Sequence, residues 1–161
     1  MIKVYTNTRL DQLKEDAASA KRRRSHLNVH TELDANVQRL FIATQPDTYM
    51  RPHRHPEAHK WEFFIVLQGK IDLLVFDDQG ALLQRIAMSG EQTRAVEVPP
   101  GTWHAYVCME PGTLALEIKE GEYLPTREQD FASWSPDESS ERAAGFLEQM
   151  RVALAGDRLA P

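Results

Sequence analysis

Residues 47–69 read DTYMRPHRHPEAHKWEFFIVLQG and contain the pattern that decides the fold. His53 and His55 are two residues apart, so on a β-strand both imidazoles project from the same face and can share one metal ion. Pro56 favours a break in this strand, and Glu62 stands at the head of the apolar run that follows. The stretch therefore predicts two neighbouring strands, with Glu62 bringing an oxygen atom to the ion held by the histidines.

Residues 99–104, PPGTWH, supply a fourth candidate ligand, because His104 follows a tight turn at the beginning of another strand. Three imidazoles and one carboxylate form a borderline ligand set that suits Fe, Mn, Zn, Ni, Co or Cu. In an octahedral ion this set leaves positions free for other ligands. The alternative is that these histidines flank a loop and bind no metal.

Seven short runs rich in β-branched or aromatic residues surround these motifs. They lie at 37–44, 62–68, 71–76, 82–87, 95–98, 103–109 and 113–119. Turns that contain Gly or Pro separate several of them. Closely spaced strands without intervening helices predict an all-β fold, namely an antiparallel sandwich, jelly roll or barrel.

One helix is predicted on each side of the β region. Residues 8–20 carry apolar side chains at helical spacing behind a threonine that can cap the helix. Residues 135–138, SPDE, combine an N-cap serine, a proline at the first helical position and a glutamate three residues after the cap. They predict that a second helix opens there and continues to about Leu154.

The length of 161 residues indicates one domain with a single core. Hydrophobic residues make up 42% of the chain and charged residues 27%, which are values of a folded globular protein. We predict an N-terminal helical and basic segment at 1–27, a β-barrel domain at 28–121, and a C-terminal tail and helix at 122–161.

Charge and cysteine content exclude several classes of function. The net charge of −5 argues against a nucleic-acid surface, and the basic run at 21–24 is interpreted as a solvated face. The single cysteine, Cys108, cannot form an intrachain disulfide. No apolar run approaches the length of a membrane span, and the first residues do not resemble a signal peptide. We expect a cytoplasmic protein without a nucleic-acid or membrane partner.

The two histidine motifs resemble those of the cupin superfamily. The matching residues are His53, His55, Glu62 and Gly69 in the first motif and Pro99, Gly101 and His104 in the second. The resemblance implies a double-stranded β-helix, or jelly-roll barrel, that binds a divalent metal ion inside. Asp47 replaces the usual opening glycine, Cys108 replaces a frequent asparagine, and the spacing between His55 and Glu62 is longer than the commonest form.

Over residues 20–135 the order of motifs is similar to that of the WbuC-type cupin fold metalloproteins. The matching stretches are KRRR at 21–24, LNVH at 27–30, VQRL at 37–40, RPHRH at 51–55, FDDQG at 76–80, VPPGTWH at 98–104 and FASW at 131–134. This resemblance implies a small metal-binding cupin. Some members of the family are associated with bacterial surface-polysaccharide pathways, but the resemblance implies no particular reaction.

Three further residues are candidate catalytic groups. Counting by twos along a strand places Arg51 and Tyr49 on the same face as His53, and Tyr106 on the same face as His104. Tyr106 could bind a metal-bound ligand or move a proton, and Arg51 could hold a carboxylate or phosphate. The alternative is that both tyrosines fill the barrel mouth while Arg51 pairs with a local acid.

The leading hypothesis is a metalloenzyme that acts on a small polar metabolite, such as a sugar or sugar-nucleotide derivative. Isomerisation or epimerisation requires a base such as Tyr106, whereas oxygenation requires iron and an open site. The rival hypothesis is a non-catalytic cupin, whose pocket would lack Arg51 and Tyr106. His59 is expected to be a loop residue or to support the ligands rather than bind metal. A homodimer is expected because twofold dimers are the commonest oligomers.

Overall fold

The computed structural model describes residues 1–160 as two antiparallel sheets and two α-helices. The helices are α1 (Asn7–Ser19) and α2 (Ala143–Val152). The strands are β1 (Arg24–Asn28), β2 (Val37–Thr44), β3 (Glu62–Gln68), β4 (Lys70–Phe76), β5 (Leu82–Ser89), β6 (Ala95–Val98), β7 (Trp103–Cys108) and β8 (Thr113–Glu120). This mostly-β architecture is consistent with a cupin or jelly-roll fold. Among the described residues, neither helix has the length and apolar character that a membrane span needs.

The strand order places two of the candidate ligands in different sheets. The five-stranded sheet has the order β1-β2-β8-β3-β6, and the three-stranded sheet has the order β5-β4-β7. Glu62 opens β3 in the first sheet, while His104 lies on β7 in the second. These two ligands therefore meet only where the two sheets come together.

The seven predicted strands are confirmed, with ends that differ from the expected ones by at most two residues. The sequence did not predict β1, because RSHLN has little apolar character and the strand lies at a sheet edge. Its pairing with β2, in which Arg24 faces Thr44 and Asn28 faces Leu40, defines the strand. The expected boundary between residues 27 and 28 falls inside β1.

The prediction that the second helix opens at 135–138 is wrong, because α2 begins at Ala143. The Asp137 carboxylate accepts hydrogen bonds from the backbone N–H and the hydroxyl of Ser139, at 2.8 and 2.6 Å, and so closes a turn. The Ser135 hydroxyl donates to the Ala132 carbonyl instead of capping a helix. A second helix does follow in this region, but local side-chain hydrogen bonds shift its first residue to Ala143.

Three groups of buried side chains hold these elements together. One lies between the three-stranded sheet and α2 and includes Leu74, Phe146 and Met150. A second, which includes Phe64 and Tyr106, packs between the two sheets. A third group lies beneath α1. Because α1 and α2 cover outer surfaces of the sheets, the candidate site lies on their inner side, beside the second group of buried side chains.

Candidate metal centre

Backbone pairing brings the second histidine motif beside the first. His53 and His104 form an isolated antiparallel bridge, in which each backbone N–H donates to the other residue's carbonyl at 3.0 and 2.9 Å. His55 follows two residues later, and Glu62 opens β3. A short backbone bridge between otherwise separate segments therefore sets the relative positions of the imidazoles.

The side chains of His53, His55, Glu62 and His104 converge. One ligand atom from each lies within 4.8 Å of those of the other three. The Nε2 atom of His55 is 3.1 Å from Glu62 Oε1, and the Nε2 atom of His104 is 2.8 Å from Glu62 Oε2. The structure thus places together all four residues expected from the spacing.

Hydrogen bonds to the backbone orient two of the rings. His53 Nδ1 lies 3.0 Å from the Arg51 carbonyl, and His104 Nδ1 lies 2.9 Å from the Thr102 carbonyl. A carbonyl oxygen can only accept, so in both rings Nδ1 carries the hydrogen and Nε2 presents its lone pair. This arrangement is typical of metal-binding histidines.

Several ligand atoms are buried without a satisfied hydrogen bond. Despite the short separations, His55 Nε2, His104 Nε2 and Glu62 Oε2 have no hydrogen-bond partner of suitable geometry. Unsatisfied buried polar atoms are costly, and a cation between them would satisfy all three at once. The donor set and the orphaned atoms both fit a divalent ion, so this cluster could hold one.

The protonation states of His53 and Glu62 also suit a metal ion, whereas the neighbouring Glu62 raises the pKa of His104, which must lose its extra proton when a metal binds. Burial, followed by the neighbouring His104, lowers the pKa of His53 to about 3, so this ring is neutral at pH 7. Burial alone would raise the pKa of Glu62, but interactions with His104 and His55 hold it well below its ordinary value. A neutral imidazole and an ionised carboxylate are the forms that bind metal.

Two residues of the cluster, His53 and Glu62, line a cavity of about 550 Å³. Its wall includes Tyr106, whose ring stacks on Phe64 with 4.1 Å between centroids. The Tyr106 hydroxyl is buried and has no hydrogen-bond partner. Burial raises the pKa of Tyr106 well above its ordinary value, so the phenol stays neutral and can donate a hydrogen bond to a ligand.

Arg51 also lines the cavity, but acidic side chains engage its guanidinium. Its Nη1 atom lies 3.1 Å from Glu128 and 3.6 Å from Asp137, and the guanidinium stacks 4.8 Å from the centre of the Phe131 ring. Arg51 thus pairs with acids, as in the alternative to anion binding, but these acids belong to a distant segment of the chain and are not local. Arg51 therefore anchors the segment after the sheets to the cavity wall.

Tyr49 does not line this cavity. Its hydroxyl donates to the Pro136 carbonyl at 3.0 Å, and its ring meets Phe146 of α2 edge-on. The expectation that Tyr49 shares a face with His53 does not hold, because residues 45–52 form no regular strand. Alternation by twos requires a continuous strand, and here only His53 is paired.

The sequence did not identify two charged residues of β8 that enter the cavity, Glu117 and Lys119. The Lys119 ammonium lies 2.6 Å from Glu117 Oε1 and 3.3 Å from Glu62 Oε1. Glu117 and Lys119 alternate on a predicted strand, so the sequence does indicate that they share a face. Only the pairing of β8 with β3, in which Lys119 faces Glu62, shows that this face meets the candidate ligands. His59, expected outside the ligand set, borders a separate shallow surface pocket.

Solved structures with a similar fold are cupin-fold proteins. KdgF from Halomonas sp. is 17% identical over 62% of this chain and 82% of its own, with a TM-score of 0.50. CapF, solved with the inhibitor 3-isopropenyl-tropolone, is 20% identical over 70% of this chain and 32% of its own, with a TM-score of 0.53. Oxalate oxidase, solved with the substrate analogue glycolate, is 16% identical over 67% of this chain and 55% of its own, with a TM-score of 0.50. At these identities the similarity shows the fold alone.

Sequence comparison gives a family rather than an activity. No curated protein matches this chain. A family described as "Domain of unknown function (DUF6016)" matches residues 5–88, a range that contains the first histidine motif and more than half of the chain. The chain therefore belongs to the DUF6016 family.

Proposed function

We propose that this protein is a metal-dependent enzyme that acts on a small polar metabolite, such as a sugar or sugar-nucleotide derivative. The observation that carries the proposal is the set of orphaned ligand atoms of His55, Glu62 and His104, next to a cavity lined by His53, Glu62 and Tyr106, whose hydroxyl is buried without a partner. The cavity volume of about 550 Å³ lies in the range of small-molecule sites. A bound divalent ion would act there as a Lewis acid or, if it is iron, support oxygen chemistry.

The chain's own residues would bind and orient the substrate. Tyr106 donates a hydrogen bond to a substrate oxygen, and its position also suits a group that holds or moves a proton during isomerisation or epimerisation. Lys119 places a positive charge beside Glu62, where negative charge on a substrate would be stabilised. The apolar side chains of Met50 and Phe131 line the same cavity and limit the access of water.

The rival function is a non-catalytic cupin that binds or senses a small molecule. The expected signature of that class was a pocket without Arg51 and Tyr106. Both residues line the cavity, and the Tyr106 hydroxyl has no structural partner that would account for its burial. This observation favours catalysis over simple binding.

The resemblance to WbuC-type cupins supports a place in bacterial surface-polysaccharide metabolism, as part of this proposal. We also propose that the protein acts as a cytoplasmic homodimer. Molar-mass measurement by light scattering would test the dimer, and a monomer at micromolar concentration would contradict it.

Elemental analysis of protein purified without added metal tests the site. We expect about one metal ion per chain in the wild type and almost none in the double variant His53→Ala, His104→Ala. The matched control is His59→Ala, which removes a histidine of the same loop outside the cluster and should keep the metal. A folded double variant that retains its metal would contradict the assignment. Iron would favour oxygenation, and zinc or manganese would favour Lewis-acid chemistry.

A further inference from the structure

The basic run at 21–24 is divided between the cavity and the outer surface. Arg22 and Arg24 both line the cavity, followed by His26 on the same face of β1. Arg23 adopts a positive φ of 57° and pairs with Asp47 at 2.8 Å, outside that cavity. The run is therefore not simply a solvated face, because alternate members face the candidate site.

A single carboxylate, that of Glu138, pairs with both arginines of the cavity. Arg24 Nη2 lies 2.7 Å from Glu138 Oε1, and Arg22 Nη2 lies 2.7 Å from Glu138 Oε2. Arg24 is fixed further, since its Nη1 donates to the Tyr49 carbonyl and its side chain is only 7% exposed. The Arg22 side chain is 61% exposed, so it can turn towards a ligand once it leaves Glu138. One negative charge cannot neutralise two guanidinium groups, so positive charge remains at this end of the cavity.

The rest of the cavity wall is electrically balanced, because Arg51 and Lys119 stand against Glu62 and Glu117, so it leaves this positive charge uncompensated. Among residues 1–160, its charged lining consists of Arg22, Arg24, Arg51 and Lys119 against Glu62, Glu117 and Glu138. A divalent ion at the histidine cluster would add further positive charge. His26 also lines the cavity but adds no positive charge at pH 7, because desolvation and then the charges of Arg24, Lys119 and Arg22 lower its pKa to about 4.

We infer that Arg22 and Arg24 form an anion subsite for the phosphate or carboxylate group of a substrate whose other end reaches the histidine cluster. The inference rests on the proposed function and narrows its substrate class to phosphorylated or carboxylated sugars. Guanidinium groups bind both anions with two parallel hydrogen bonds. Glu138 is the counter-ion that the incoming anion displaces from Arg22, while Arg24 stays anchored through the Tyr49 carbonyl.

Calorimetric titration of the full-length, metal-loaded protein with three related probes tests the subsite. D-glucose 6-phosphate carries a phosphate, D-gluconate carries a carboxylate, and D-glucose is neutral. We expect Arg22→Gln to weaken binding of at least one anionic probe by about tenfold, because a charge-assisted pair is lost. Binding of D-glucose should not change. The matched control is Arg23→Gln, which removes the neighbouring charge outside the cavity and should change affinity by less than about twofold.

The variant Glu138→Gln should change the affinity for the anionic probe in the opposite direction. Removing the competing carboxylate should strengthen binding of the same anionic probe, because Arg22 no longer has to exchange partners. Equal weakening by Arg22→Gln and Arg23→Gln would indicate general surface attraction and overturn the subsite. Weaker anion binding by a folded Glu138→Gln variant would also overturn it.

The same titration separates this inference from the metal assignment. In the background of His53→Ala, His104→Ala, the part of the affinity that depends on Arg22 should persist, since the two arginines lie in a different segment, at and just before the start of β1. If the wild type binds no metal but the Arg22 effect remains, the proposed function fails while the anion subsite stands. If the metal binds but neither anionic probe depends on Arg22, the subsite fails alone.

Discussion

Tyr106 and Tyr49 show how local backbone geometry decides the role of a residue. Tyr106 lies on β7, a regular strand that pairs with β4, so the count by twos from His104 correctly places it in the cavity. Tyr49 lies in an irregular segment, and its hydroxyl donates a hydrogen bond to the Pro136 carbonyl. The same residue type therefore has an unsatisfied hydroxyl at one position and a structural hydrogen bond at the other.

Replacing these tyrosines should separate the two roles. Tyr106→Phe removes a buried hydroxyl without a partner, so we expect an unfolding free energy unchanged or higher by up to about 1 kcal/mol. Its metal content should stay the same, while turnover falls by about a hundredfold. Tyr49→Phe should lower stability by about 1 kcal/mol and leave turnover unaffected.

Urea unfolding and activity on the identified substrate provide the measurements. A Tyr106→Phe variant that is clearly destabilised would show that the hydroxyl has a structural partner. Full turnover in that variant would instead remove Tyr106 from the site.

At the scale of elements, one arginine joins α2 to the three-stranded sheet. Arg85 on β5 donates to the carbonyls of Met150, Arg151 and Ala153 at 2.7–3.0 Å, and so satisfies carbonyl groups at the helix C-terminus. Asp72 on the neighbouring strand β4 holds the same guanidinium at 2.7 Å. The helix is thus anchored by polar contacts at its end as well as by its apolar face.

Arg85→Met should lower the unfolding free energy by about 2–4 kcal/mol, because it leaves three carbonyls and the mostly buried Asp72 without their partner. The control is Arg94→Met, since Arg94 is an exposed residue that donates only to Gly90 within its own turn. We expect the control to change stability by less than about 0.5 kcal/mol. Equal midpoints for the two variants in urea would contradict the anchoring role of Arg85.

At the scale of the whole molecule, the candidate centre exists only in the folded chain. Its ligands come from β3, from β7 and from the segment before β3, and a metal ion bound by all of them has no equivalent site in the unfolded state. Metal binding should therefore be coupled to global stability.

Thermal unfolding with and without a chelator measures this coupling. Free metal at a hundred times its dissociation constant should stabilise the wild type by about 2.7 kcal/mol and raise its Tm accordingly. The double variant His53→Ala, His104→Ala should melt at the same temperature in both conditions. A chelator effect of equal size in the two proteins would place the metal elsewhere.

The sequence by itself determined the mostly-β class, the positions of seven strands and the four residues of the cluster. Strand alternation, turn residues and the His-x-His and Pro-x-Gly-x-x-His spacings are local, so they can be recognised without the fold. Local patterns can still compete with one another. The turn closed by Asp137 moves the start of α2 to Ala143, because a side-chain hydrogen bond competes with helix formation.

Only the tertiary structure decided what surrounds the cluster. It placed Lys119 beside Glu62, turned Tyr49 towards α2, paired Arg51 with acids of a distant segment, and brought Arg22 and Arg24 into the cavity. These contacts join residues far apart in the chain, and β1 itself is defined by pairing with β2 rather than by its own apolar pattern. Partners of this kind depend on sheet register and packing, which no local pattern contains.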